Sequence, residues 1–184
     1  MRFGNNAESA LDDTDIRILG LLQEDCRTPL ARLGEHVGLS APAVLERIKK
    51  LEAAGVITGY HAIIDGRKLG LDVTAFIGVV TSDPDSIEQF EQQVIALEPV
   101  LECHHVTGAF TFLLKVKAAN TPALERVITQ IRSMDGVART ETTVVLSTHI
   151  ERVQLGLHPV DTTSPPPGRR ARRSQEGGGQ LRRA

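Results

Sequence analysis

A chain of 184 residues can hold one large or two small domains, each still able to bury a core. Hydrophobic residues make up 41%, the formal charge is −2, and Cys26 and Cys103 are too few and too far apart for a disulfide framework. No apolar run approaches the ~20 residues that span a bilayer, and the N-terminus lacks the basic-then-apolar order of a signal peptide, so a reducing cytoplasm and no membrane partner are expected.

Residues 1–10 read as a flexible lead. A first helix is then capped by Asp12 or Asp13 and carries Ile18, Leu19 and Leu22 on its apolar face, before the charged run Gln23 to Arg27. Thr28 and Pro29 open a second helix with Leu30, Leu33 and Val37 at i, i+3, i+7, and Gly38 ends it. The third, roughly Ala41 to Ala54, has Ser40 as N-cap, Pro42 in its first turn and Gly55 beyond its end; Val44, Leu45, Ile48 and Leu51 share one stripe. Only Gly38 and Leu39 separate helices two and three, which therefore cross sharply, as in a helix-turn-helix.

The outward side of the third helix carries Pro42, Ala43, Glu46, Lys49, Lys50 and Ala53, with Arg47 on its flank. Small residues at its start, Ala41 to Ala43, allow close backbone approach, and the unpaired amides behind Ser40 favour a phosphate. This suits a recognition helix entering the DNA major groove N-terminus first, with Thr28 at the start of the preceding helix. Arg47, Lys49 and Lys50 are expected on phosphates or guanine edges, while Glu46 accepts from cytosine or simply pairs with a lysine three or four residues on. A solvated amphipathic helix is the plainer alternative.

Residues 61–71 link this domain, 11–60, to the next. The alternation in GVITGYHAII reads as a strand-like wing or hinge. From Asp72 to Ser82, DVTAFIGVVTS is a strand covered on both faces. A helix follows, opened by Asp83 and Pro84, with Ile87, Phe90, Val94 and Leu97 inside and Pro99 closing it. VLECHHVTG is a second strand, Gly108 and Ala109 a tight turn, and FTFLLKV a third strand. Asn120 and Pro122 start a helix with Leu124, Val127, Ile128 and Ile131 inside, Gly136 ends it, and VARTETTVVL is the fourth strand. The expected fold is α+β: a winged helix-turn-helix, then a ferredoxin-like βαββαβ domain at 72–155. Its helices cover one sheet face. Phe110, Phe112, Val144 and Leu146 are assigned to the other, which dimerisation would bury while pairing two recognition helices for a palindrome.

Charge is unevenly spread. From Asp161 on, six arginines (169, 170, 172, 173, 182, 183) stand against Asp161 and Glu176, a net +4; by difference from −2, residues 1–160 carry −6. The Pro/Gly/Arg-rich tail, 156–184, reads as disordered, either an arm for sequence-independent phosphate binding or a solubilising terminus.

The motifs LD-x-x-D at Leu11, GLS-x-x-x-V-x-x-R-I-x-x-L at Gly38, G-V-I-x-G-Y at Gly55, E-C-x-x-V-T-G at Glu102 and R-T-x-T at Arg139 occur in the order found in Lrp/AsnC feast/famine transcription regulators, which the chain closely resembles over residues 11–155. The resemblance implies a nucleoid-associated regulator that binds double-stranded DNA as a dimer, or as dimers assembled into tetramers or octamers. It also implies a small-molecule effector, usually an amino acid, bound between dimers, and no other cofactor. Val106, Thr107, Gly108, Thr140 and Thr142 match the family's effector strands. Ala109 and Thr111 stand where acidic residues are usual, so an acceptor for an ammonium group, worth about 1.5–3 kcal/mol, is missing. Altered effector specificity and effector independence both follow from that.

Other chemistry is sparse. Glu102, Cys103, His104 and His105 are consecutive, but neighbouring strand residues point to opposite faces and cannot converge on one metal. No P-loop, dinucleotide fingerprint or catalytic-triad spacing is present, and the protein is read as not an enzyme. Sirohaem decarboxylases look similar in both domains and use histidine beside a tetrapyrrole; the pair His104 and His105 keeps that alternative open, as does an architectural DNA-binding role without effector.

Overall fold

The structure, a computed structural model, describes residues 11–83 and 85–157, so the N-terminal lead, Pro84 and the basic tail lie outside the described residues. The chain divides into two units, one holding the described residues up to Tyr60 and from Gln154 on, the other spanning His61–Val153.

Three helices build the first unit: α1 Asp13–Glu24, α2 Leu30–Val37 and α3 Ala41–Ala53. Asp12 caps α1 in a reciprocal box with Asp15, whose backbone N–H donates to Asp12 Oδ1 at 2.8 Å. Ser40 caps α3 through the Ala43 N–H at 3.4 Å. Ile18, Leu33, Val44 and Ile48 form the core, with Leu22, Leu30, Val37 and Ile57 packed around them. Gly34 is what lets α2 and α3 join so tightly, since a Cβ there would lie 2.3 Å from the Leu39 carbonyl oxygen. Gly38 then closes α2 at φ 73°. Leu45 departs from its expected stripe and is 36% exposed. It lies one 100° step round from Val44, beyond the line Val44–Ile48–Leu51 that α1 and α2 cover. The described chain ends in this unit, where the Gln23 side chain donates to the Leu155 carbonyl and accepts the Leu155 N–H.

The expected wing does not form. Residues 56–65 contain no strand and leave Ile63 80% and Ile64 64% exposed; a single 3-10 turn, Gly66–Leu69, follows. Alternation alone cannot make a strand without a ladder partner for its amides, and none is present among the described residues.

The second unit has the expected order: β1 Val73–Thr81, α4 Ser86–Ile95, β2 Val100–His105, β3 Phe112–Ala118, α5 Thr121–Arg132 and β4 Val137–Val144. The antiparallel sheet runs β2-β3-β1-β4, the split βαβ arrangement. Asp83 receives the Ser86 N–H at 3.0 Å and Asn120 the Ala123 N–H at 2.9 Å, so both helices start at polar caps read from the sequence. Phe90 and Val94 of α4 and Leu124, Val127 and Ile131 of α5 pack on Ala75, Ile77, Val79, Phe112, Leu114 and Val116.

That core corrects the expected open face. Phe112 is fully buried under the helices, and Val144 pairs with Ala75, which also faces them. The alternation assumed through FTFLLKV breaks at Thr111, where the chain bends before β3 begins. Phe110 is thereby turned to the other side, over Gly78, whose missing Cβ leaves the room: one built there would lie 2.6 Å from the ring. Open-face positions in register are therefore Phe76, Gly78 and Val80 on β1, Leu113, Lys115 and Lys117 on β3, and Arg139, Glu141 and Thr143 on β4. Leu146 lies past the end of β4 and is 96% exposed.

Candidate nucleic-acid interface and sensing unit

With Val44, Ile48 and Leu51 turned into the core, helix geometry leaves Pro42, Glu46, Lys49 and Lys50 exposed on α3, while Ala41 and Ala43 are half-buried at its start. Ser40 spends its hydroxyl on the Ala43 amide. Thr28 is half-buried in the turn before α2, its N–H bound to the Asp25 carbonyl at 3.1 Å. Lys49 makes an exposed ion pair with Glu46 at 3.4 Å, an arrangement worth little in water. Lys50 takes part in no ion pair among the described residues. The face thus presents one available and one weakly held cation beside a helix N-terminus lined by alanines.

Arg47 is placed differently from the sequence expectation. Its Nη1 donates to Asp12 Oδ2 at 2.7 Å and to Asp15 Oδ1 at 2.8 Å, so the guanidinium ties α3 to the capping box of α1. Hydrogen bonding to Arg47 holds the Asp12 carboxyl below its ordinary value. No local signal joins these positions, which lie 35 and 32 residues apart. At the other end of α3, Glu52 accepts from the Tyr60 hydroxyl at 2.9 Å; burial, then that carboxylate, pushes the phenol up to about 12.

In the second unit the expected effector residues collect near one end of the sheet. The Thr111 N–H donates to the Val79 carbonyl at 2.8 Å, and Thr140 pairs with Val79 from the opposite side. Thr142 is one pair further along, opposite Ile77. Thr111 and Thr140 are thus two strand spacings apart, about 10 Å. Val106 is half-buried, its N–H bound to the Thr111 carbonyl at 3.0 Å, while Thr107, Gly108 and Ala109 are exposed. The Thr111 hydroxyl is already engaged, meeting the Thr81 N–H and the Thr81 hydroxyl at 3.2 Å each. Within one protomer these seven residues form no single pocket: Thr140 and Thr142 face the helices, while the turn lies at the far side of β1.

The consecutive residues of β2 separate as strand geometry demands. Glu102 and His104 sit on the open face, 3.3 Å apart, with Lys115 3.1 Å from Glu102. Cys103 and His105 face the helices, His105 against the Phe112 ring at 5.1 Å between centroids. Burial pushes the Cys103 thiol up, which suits a packing role rather than a nucleophile.

A helix-turn-helix unit followed by a ferredoxin-like unit defines a two-part transcription factor, one part shaped for DNA and the other for assembly or sensing. Residues 11–52 match the AsnC-type helix-turn-helix domain, and residues 74–155 match the Lrp/AsnC ligand binding domain. The chain is 38% identical to the proline dehydrogenase transcriptional activator of Rhizobium radiobacter, over 74% of this chain and 89% of the relative. It is 39% identical to the leucine-responsive regulatory protein of Haemophilus influenzae, covering 74% and 84%. Among solved structures, a feast or famine regulatory protein from M. tuberculosis complexed with L-methionine superposes with a TM-score of 0.75 at 34% identity, covering 79% of this chain and 99% of that one. The chain belongs to the Lrp/AsnC family and is a transcriptional regulator of that type.

Proposed function

We propose that this regulator binds double-stranded DNA by inserting the N-terminal half of α3 into the major groove. The carrying observation is the division of α3: Val44, Ile48 and Leu51 are buried, while the Ser40-capped start, Lys49 and Lys50 face outward. Phosphates would meet the amides of Ala41 to Ala43 and the two lysines, and Glu46 would be the base-reading candidate once released from Lys49. Arg47 would act through the protein, orienting α3 from α1.

The protein would act in the cytoplasm, on the nucleoid, as a homo-oligomer and a regulator rather than an enzyme. Phe76, Phe110 and Leu113 on the open sheet face, with the exposed Ile63 and Ile64, supply apolar surface that a second copy would cover. An amino acid or related metabolite would tune its DNA affinity, in keeping with the L-methionine complex of the mycobacterial relative. Effector independence is the second reading, favoured by a Thr111 hydroxyl already held by Thr81 where an ammonium acceptor would be needed.

The test is a mobility shift on DNA from the protein's own upstream region, at stated salt and with excess competitor. Specific retardation that disappears in Lys49→Ala/Lys50→Ala is expected; retardation unchanged by that double substitution would refute the α3 assignment.

A further inference from the structure

We propose that the second unit binds a small zwitterion, an α-amino acid by chemical class, in a cleft separate from the 106–111 turn. The inference rests on the reading that a small metabolite tunes this protein, and it relocates that metabolite's site.

The cleft has a volume of about 280 Å3 and lies wholly within His61–Val153. Ligand pockets commonly run ~300–1,000 Å3, so this one suits an amino acid rather than a nucleotide. One wall is the linker around the 3-10 turn, with Asp65, Arg67 and Asp72; the floor is the end of the open sheet face, with Thr74 and Lys117. The chain leaving β4 forms the other wall, with Ser147 and Thr148, and is fastened at its start by the Val145 N–H on the Thr74 carbonyl at 2.9 Å.

Charge chooses the ligand class. Arg67, Lys117 and Asp72 take part in no ion pair among the described residues. Glu151, also on the rim, is committed to Lys115. Asp65 uses Oδ1 on the Arg67 N–H at 3.0 Å, which leaves its other oxygen. Two uncommitted cations therefore face two uncommitted carboxylates. A simple anion would leave Asp65 and Asp72 unanswered, and a simple cation would leave Arg67 and Lys117 so. A molecule with a carboxylate toward Arg67 and Lys117 and an ammonium toward Asp72 satisfies both signs, through hydrogen bonds to charged groups. Leu71 and Leu146, 37% and 96% exposed, border the same space and offer an apolar side chain something to cover.

The position has a consequence for control. The chain passes between the two units after Tyr60 and again after Val153. The cleft is walled by the segment following the first passage and the segment preceding the second. A ligand that orders both segments changes the conformational freedom of both connections to the DNA-binding helices, and DNA must then alter ligand affinity by the same factor.

The test is calorimetric titration of the full-length protein, without DNA, with each proteinogenic L-amino acid in turn. The same titrations follow for Asp72→Asn, for Arg67→Ala/Lys117→Met and for Thr107→Val/Thr111→Val, each first shown by circular dichroism to melt as the parent does. Binding weakened at least about tenfold by both cleft variants and unaffected by the turn variant is the expected result. Binding lost in the turn variant but unchanged in the cleft variants overturns the cleft while leaving a metabolite-tuned regulator. If no amino acid binds, both the cleft and the amino-acid reading fall.

Discussion

Arg47 on α3 and Asp15 on α1 form an ion pair 2.8 Å long, 31% and 18% exposed, in which the same guanidinium nitrogen also reaches Asp12. The contact joins the helix proposed for the groove to the N-terminal cap of the helix behind it. Arg47→Ala therefore removes a partly buried, charge-assisted contact from the three-helix unit, and a loss of about 1–2 kcal/mol is expected by urea denaturation. Lys50→Ala, exposed and without an ion pair, should leave the same midpoint unchanged; a midpoint shift in Lys50→Ala and none in Arg47→Ala would reverse the assignment of roles.

The same contact carries a pH dependence. The Asp12 carboxyl lies below its ordinary 3.8 in the folded protein, first because of the Arg47 hydrogen bond. A depressed carboxylate contributes its stability fully above the unfolded value and loses it as pH falls through that value toward the folded one. Denaturation midpoints of wild type and Asp12→Asn should therefore differ at neutral pH and converge below about pH 3.8. A constant difference down to the acid limit would show that Asp12 acts through shape rather than charge.

Gly34 offers a test of the turn. A Cβ at this position meets the Leu39 carbonyl oxygen at 2.3 Å, a backbone atom that cannot step aside alone. Gly34→Ala should force α2 and α3 apart, cost about 1–3 kcal/mol and weaken DNA binding together with stability. Gly20→Ala, in the middle of α1 with nothing within 4 Å of its Cβ position, is the matched control and should be neutral or stabilising. Equal loss in both variants would mean that backbone entropy, not the close approach, governs the turn.

These residues mark what could be read along the chain. Ser40, Asn120, Gly38 and the alternating β1 and β3 act within a few residues of themselves, so helix limits, strand order and the buried stripe of α3 follow from local chemistry. Three things did not. The GVITGYHAII pattern lacks a ladder partner, and pairing is a property of two segments. Phe110 and Phe112 stand two apart yet face opposite ways, because a bend at Thr111 resets the alternation. Arg47 meets carboxylates more than 30 residues away, a pairing that only the crossing of α1 and α3 creates. The cleft between linker and β4 exit is equally non-local, whereas the lysines of α3 needed only helical spacing.

Those lysines make a quantitative prediction about salt. If Lys50 contacts a phosphate, its replacement by alanine should lower the slope of log affinity against log salt by about 1 and weaken specific and non-specific DNA alike. Lys49→Ala should do less at low salt, because breaking its pair with Glu46 offsets part of the gain on binding. Titration of operator and random duplexes across a salt series reads both numbers. A Lys50 variant that loses only operator binding, at unchanged slope, would instead place that lysine on a base edge.

The arginine-rich C-terminus, outside the described residues, is open to the same measurement. Six arginines follow Asp161, and the preceding chain is net negative, so long-range attraction to DNA has few other sources. Deleting residues 163–184 should weaken non-specific binding and flatten the salt slope by up to about 5, at roughly 0.9 per phosphate neutralised. Operator preference over random DNA, which base contacts from α3 would set, should stay nearly constant. A slope identical to that of the full chain would leave the tail no part in DNA binding. A collapse of operator preference at unchanged slope would mean that the tail reads sequence, a role its composition gives no means to perform.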